Sequence, residues 1–361
     1  MTRSLLAAML LCVSAAAAAC PICLGAGQPT KAQELTTAQQ AVLAVPTADA
    51  SRFRVIEVIH GDRPSSSTIE GGYPRNGPAA DAKVPTGKPL LLVRNDPFPT
   101  WVVLGAIGRE QSGWLRKLAA GKRFEDMSAE DRRARVALVL PDLESSEPLV
   151  AELAYGELAA APYAAMRTAR AQLDARAVRA WLADPKLAAR HRLYLLLLGF
   201  AGTAGDAAAL DQRVEAAWKS GDATSLASML AADLELWGAA RMTWVEERYL
   251  GDRSRSALEI SAALLALSVH GNASGVIPRE RVIQSYRVFM KAHPEIAGYV
   301  AQDLAAWQYW DAVPEYVALM KSDVRQQLPS RVATLAYLRQ SPSAEAREIA
   351  LRTPALPEMR Q

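Results

Sequence analysis

Cysteine and histidine are scarce, with three of the first and four of the second in 361 residues. Little material is left for a metal centre or a nucleophile–base pair. His60, His191, His270 and His293 lie in unrelated segments, and there is neither a second Cys-x-x-Cys nor a Gly-x-Ser-x-Gly. No catalytic residue, metal ligand or cofactor is therefore assigned. Neither sign of charge dominates: 41 Lys and Arg against 38 Asp and Glu leave +3. That balance argues against an extended nucleic-acid interface. Long apolar runs are missing beyond the N-terminus. Leu193 to Ala201 spans nine residues, short of the roughly 20 that a membrane helix needs.

The N-terminus is the most informative segment. Arg3 precedes an apolar run from Leu5 to Ala19, and Ala17 and Ala19 form a small-x-small cleavage pattern. Residues 1–19 read as a secretory signal peptide, with a retained anchor as the alternative. Cleavage after Ala19 makes Cys20 the first mature residue. Cys20 and Cys23 then stand as Cys-Pro-Ile-Cys in an oxidising compartment, where a disulfide or a lipid on Cys20 are the candidate fates. A thioredoxin-like exchange site needs a preceding strand and a helix start. Nothing precedes Cys20 after processing, so that context is missing.

Residues 20–39 form this Cys-x-x-Cys segment and residues 40–125 a β-rich domain. Within the latter, 52–60, 90–94 and 101–107 read as strands, from β-branched and apolar clustering between Pro/Gly links, and 41–45 reads as a first buried strand or the end of a short preceding helix, terminated by Pro46. Residues 61–89, with Gly71-Gly72 and Gly77-Pro78, read as loop with short strands at most. A small β-barrel or sandwich follows. Residues 126–361 read as helical. Ser128 to Asp131 resembles a capping box, and helices are expected at 206–219, 222–232, 236–250, 255–269, 278–292, 295–306, 312–322 and 328–340. Gly199 and Gly202 mark the end of the helix that contains Leu193 to Leu198. Helix pairs recur at about 40 residues, the spacing of HEAT and armadillo arrays. The fold class is therefore α+β: a small barrel, then a helical array that is either a solenoid or an irregular bundle. A break near 125 implies a helical part that folds by itself.

The order of signal, Cys20-Pro-Ile-Cys23, β segment and helical remainder resembles a family of uncharacterised exported bacterial proteins. The residues that carry it are Val55-Ile-Glu-Val-Ile-His-Gly61, Ala161-Pro-Tyr163, Leu193-Tyr-Leu-Leu-Leu-Leu-Gly199 and Val276-Ile-Pro-Arg-Glu-Arg281. The resemblance implies a location and an architecture. The N-terminal third is also similar to netrin-like barrels, through a mature N-terminal cysteine and the strand end at Val55, Val58 and Gly61. In that group, which includes metalloprotease inhibitors, the N-terminal cysteine chelates a protease zinc. This chain has Cys-x-x-Cys where they have Cys-x-Cys.

Trp237, Trp244, Trp307 and Trp310 are the candidate partner surface. Trp237 and Trp244 lie seven apart, two turns along one expected helix, and Trp307 and Trp310 flank Tyr309. Aromatics of this kind either fill helix interfaces or anchor a partner. Asn272-Ala-Ser274 has the form of a glycosylation sequon and is assigned no role, because the export signal looks bacterial. The expectation is an exported, non-enzymatic scaffold, periplasmic or secreted, that binds another envelope protein and no nucleic acid. Membrane contact would come only through a lipid on Cys20. The alternatives are a thiol-disulfide protein using Cys20 and Cys23 and, more remotely, a protease inhibitor acting through the mature N-terminus.

Overall fold

The computed structural model describes residues 22–23, 29–49, 51–72, 87–95, 100–273 and 275–354. The expected signal peptide and Cys20 lie outside the described residues. The fold is mixed α+β, a five-stranded closed barrel followed by helices.

Helix α1 (Lys31–Thr36) opens with a reciprocal cap. The Thr30 hydroxyl accepts from the Gln33 amide, and the Thr30 amide donates to the Gln33 side chain. The barrel strands are β1 (Gln40–Pro46), β2 (Arg52–His60), β3 (Thr68–Gly72), β4 (Leu90–Arg94) and β5 (Trp101–Ala106). They close in the order β1-β2-β3-β5-β4, antiparallel except for β3 beside β5. Val42, Ala44, Phe53, Leu90, Leu92 and Trp101 fill the interior. The alternate residues Ala41, Leu43, Leu91 and Val93 point outward and are buried against helices. Burial on both faces explains why β1 and β4 read as unbroken apolar runs.

Strand β3 emerges from the stretch read as mostly loop. It meets β5 only at Gly71 and Gly72. A Cβ at Gly71 would sit 2.8 Å from the Trp101 carbonyl oxygen, so glycine lets the barrel close there.

Helix α2 (Ser112–Ala119) lies against β2 and α4 (Pro148–Ala160) against β5, while α3 (Ala129–Val139) packs on α4. The expected Ser128 cap is present, its hydroxyl accepting from the Asp131 amide at 3.1 Å. Helix α1 packs on α4, where Gly156 admits Thr30. Arg135 and Glu157 form an ion pair at 3.6 Å between α3 and α4, both side chains buried. Arg135 also donates to the Leu118 carbonyl at the end of α2, at 2.5 Å.

The chain continues through α5 (Tyr163–Arg167), α6 (Ala175–Ala183), α7 (His191–Ala201), α8 (Ala204–Ser220) and α9 (Leu226–Trp237). Then come α10 (Met242–Val245), a π turn (Glu246–Leu250), α11 (Ala257–Ala273) and α12 (Arg279–Ala292). A 3-10 turn (Pro294–Val300) leads to α13 (Ala301–Ala306), α14 (Val313–Lys321), α15 (Leu328–Gln340) and α16 (Ala344–Arg352). Packing is mostly serial: α6 on α7, α7 on α9, α9 on α11, α11 on α12, α13 on α15, and α15 on α16. One apolar core runs from the outer face of the barrel to α16.

The helix expected over 236–250 is broken. Gly238, at φ 66°, caps α9, and a 3-10 turn separates it from α10. Trp237 and Trp244 therefore do not share a helix. Nor does Gly199 end α7. The helix runs through it to Ala201, and a Cβ at Gly199 would lie 2.7 Å from Ala232 Cα on α9. This glycine serves helix–helix approach, and Gly202 ends the helix.

Candidate binding cleft

Between α12 and the end of α13, an open cleft of about 390 Å³ is lined by Arg279, Glu280, Ile283, Gln284, Arg287, Trp307, Gln308 and Tyr309. Pro278 starts α12 and places Arg279, Glu280, Ile283 and Arg287 along neighbouring turns. The opposite wall is the end of α13. The Gln308 amide donates to the Ala305 carbonyl and the Tyr309 amide to the Leu304 carbonyl, both at 2.9 Å. This is the paired closure of a helix end whose left-handed residue is ordinarily glycine. Here it is Gln308, at φ 55°.

Trp307 is held by a second layer. Its ring stacks on Tyr286 at 5.6 Å and 10°, and its Nε1 donates to Asn272 Oδ1 at 2.8 Å. Gly271 gives the ring room, since a Cβ there would come within 2.5 Å of it. Tyr286 in turn donates to Asp303 at 2.5 Å. Burial pushes the Asp303 carboxyl above its usual range, while hydrogen bonds from Tyr286, Ser268 and Asn272 pull the other way.

Two guanidinium groups lie over the aromatic rings, Arg279 at 5.3 Å from the Trp307 centroid and Arg287 at 5.8 Å from that of Tyr309. Arg279 donates its Nε to the Gly271 carbonyl at 2.9 Å and makes no ion pair among the described residues. Arg287 pairs with Glu315 at 3.3 Å, with both partners exposed.

The four tryptophans singled out from the sequence occupy four different surroundings. Trp307 lines the cleft. Trp310 is turned against Tyr337 on α15, 5.1 Å between centroids. Trp244 lies under Arg241 at 4.0 Å and meets Tyr249 edge-on. Trp237, at the end of α9, is 49% exposed. Arg248, over both Trp218 (3.9 Å) and Trp244 (6.0 Å), extends the Trp244 contact into an Arg–Trp ladder.

A buried polar cluster joins α5, α9 and α11. Glu235 accepts from Tyr163 Oη at 3.1 Å and from Arg167 Nε at 2.6 Å. His270, wholly buried, shares a hydrogen bond of 2.9 Å between Nε2 and the Ala231 carbonyl, and its Nδ1 lies 4.0 Å from Glu235. Burial drives the imidazole down to about 4, which keeps it neutral. The Nε2–H tautomer then donates to Ala231. Asp233, two residues before Glu235 on α9, is held up at about 6 because burial outweighs the adjacent Arg241.

Of the cysteine pair, Cys23 is 3% exposed within the apolar core, and Cys20 lies outside the described residues. Among the described residues no group of three or more His, Cys, Asp or Glu is placed to hold a metal ion. No helix among them is long and apolar enough to cross a membrane.

Sequence reasoning found Trp307 and left out Arg279, Arg287, Gln308, Asn272 and Tyr286. The Trp-Gln-Tyr-Trp run at an expected helix end was the available signal for Gln308. Nothing local links it to Arg279, some thirty positions earlier. Compared with known protein families, curated proteins and solved structures, the chain shows no match.

Proposed function

We propose that this is an exported, non-enzymatic envelope protein that docks a partner protein on its helical array. The observation that carries the reading is the cleft between α12 and the end of α13. Its aromatic wall is fixed in advance by Tyr286, Asn272 and Gly271, so little side-chain entropy remains to be lost on binding. Rigid Trp and Tyr beside arginines are the usual anchors of protein interfaces. Serial packing of helices supports reading the array as a HEAT-like solenoid with the cleft on its surface. Export rests on the leader sequence alone. A thiol-exchange role is disfavoured by the burial of Cys23, because the attacking or resolving sulfur must reach a partner's disulfide.

Photo-crosslinking tests the reading. A benzoylphenylalanine at Gln284 in the full chain, irradiated in the cells that make it, is expected to give one discrete protein adduct. The adduct should vanish with Trp307→Ala and should not form from the exposed Arg176. Equal adducts from both positions would discard the cleft as a docking site.

A further inference from the structure

We propose that the cleft takes a carboxylate-bearing stretch of an acidic peptide, with Arg279 as the ion-pair partner and the Gln308 amide as a second anchor. The inference rests on reading the cleft as a docking site and adds the chemistry of its occupant.

The charge of Arg279 is available and already oriented. Its Nε is committed to the Gly271 carbonyl and its plane lies near Trp307, while its outer nitrogens have no hydrogen-bond partner among the described residues. A guanidinium held this way presents a fork that fits a carboxylate. Arg287, on the same helix, has its charge partly matched by Glu315.

Gln308 is the independent observation. It occupies the left-handed position of a helix end at φ 55°, where glycine is the unstrained residue. The chain bears that strain and sets a side chain with both a donor and an acceptor on the wall of the cleft. Strained positions of this kind concentrate where ligands are held. An amide beside an arginine suits a peptide, which offers backbone groups next to its carboxylate.

The charges of the lining favour an acidic peptide over a polyanion. Arg279 and Arg287 stand against Glu280, leaving one net positive charge, and the whole chain carries only +3. A nucleic acid would require many more cations and would be repelled by Glu280. A single carboxylate matches Arg279, which makes no ion pair among the described residues, and the volume suits a short extended segment.

The experiment uses the full mature chain and two displayed peptide libraries, randomised around a fixed Glu or a fixed Gln. Enrichment is expected from the Glu library. The best acidic peptide should bind at least tenfold more tightly than its Gln counterpart. Arg279→Gln should cost about tenfold in affinity and Gln308→Gly several-fold, while Glu280→Gln should strengthen binding. An intact melting transition for Gln308→Gly separates its effect from unfolding. Equal enrichment from both libraries, or tighter binding of oligothymidylate, would overturn the acidic-peptide assignment. If Trp307→Ala and Arg279→Gln still abolish that binding, the cleft survives as a docking site. Acidic peptides that bind all variants equally would overturn the cleft as well.

Discussion

His270 couples stability to acidity. Its folded pKa of about 4 lies below the ordinary 6.5, so the unfolded chain takes up the proton first as pH falls. The contribution is complete above pH 6.5 and is lost between 6.5 and 4, about 3 kcal/mol for a shift of this size. Asp233 works the other way. Its pKa, raised from 3.8 to about 6, adds stability below pH 3.8 that is lost as pH rises through 6. The two oppose each other, so the pH profile of the native protein conceals both. His270→Gln, which retains a donor for Ala231, should raise the urea midpoint at pH 4.5 relative to that at pH 7, because it removes the histidine loss and leaves the Asp233 gain uncovered. An unchanged difference between those midpoints would contradict the buried, neutral histidine. At Gln308 the expectation is a gain: Gln308→Gly relieves a left-handed side chain worth about 1 kcal/mol. Thermal unfolding should show a melting temperature higher by about 1–2 °C.

At the scale of elements, α2, α3 and α4 are tied by one buried guanidinium. Arg135 meets Glu157 and the Leu118 carbonyl, and Gly121 leaves it the space, since a Cβ there would fall 0.9 Å from an Nη atom. Breaking a buried pair by removing one partner costs about 3–5 kcal/mol. Burial raises the Glu157 pKa and Arg135 restrains it, so Arg135→Met should let Glu157 take up a proton. The loss should therefore be smaller at pH 5 than at pH 8 in chemical denaturation. Gly121→Ala should destabilise in the same direction, because the displaced guanidinium loses both partners. A Gly121→Ala protein as stable as the parent would show that Arg135 has another place to go.

Across the whole molecule, the barrel and the helices share a core. Helix α4 is covered by α1 and touches β5, where Leu149 packs on Gly105. Removing residues 1–125 would expose that apolar face. The fragment 126–361 is thus expected to self-associate or to lose its sharp transition in sedimentation and thermal melts. A monomeric fragment with an undiminished cooperative transition would support the independent folding that composition alone suggests.

Much of the fold was legible in local pattern. Strands β2, β4 and β5 follow from β-branched and apolar runs between Pro/Gly links, β1 was one of two readings of its apolar run, and α12 and α15 fall on helices expected at 278–292 and 328–340. These are properties of a few neighbouring residues. Strand β3 was not legible, because its pairing with β5 runs through two glycines, which carry no strand preference, and Gly71 is there for the close approach of Trp101. From the sequence Gly199 reads as a helix end and Gly238 as the interior of a helix, and the structure reverses both. Packing on Ala232 keeps the first inside α7, and a positive φ makes the second a cap. The cleft was the least legible. Trp307 stands out in the chain, but Arg279, Asn272 and Tyr286 reach it only because α11, α12 and α13 pack together. Sequence by itself determined elements whose causes are local. Tertiary structure alone decided which side chains meet, because those contacts depend on how distant helices pack.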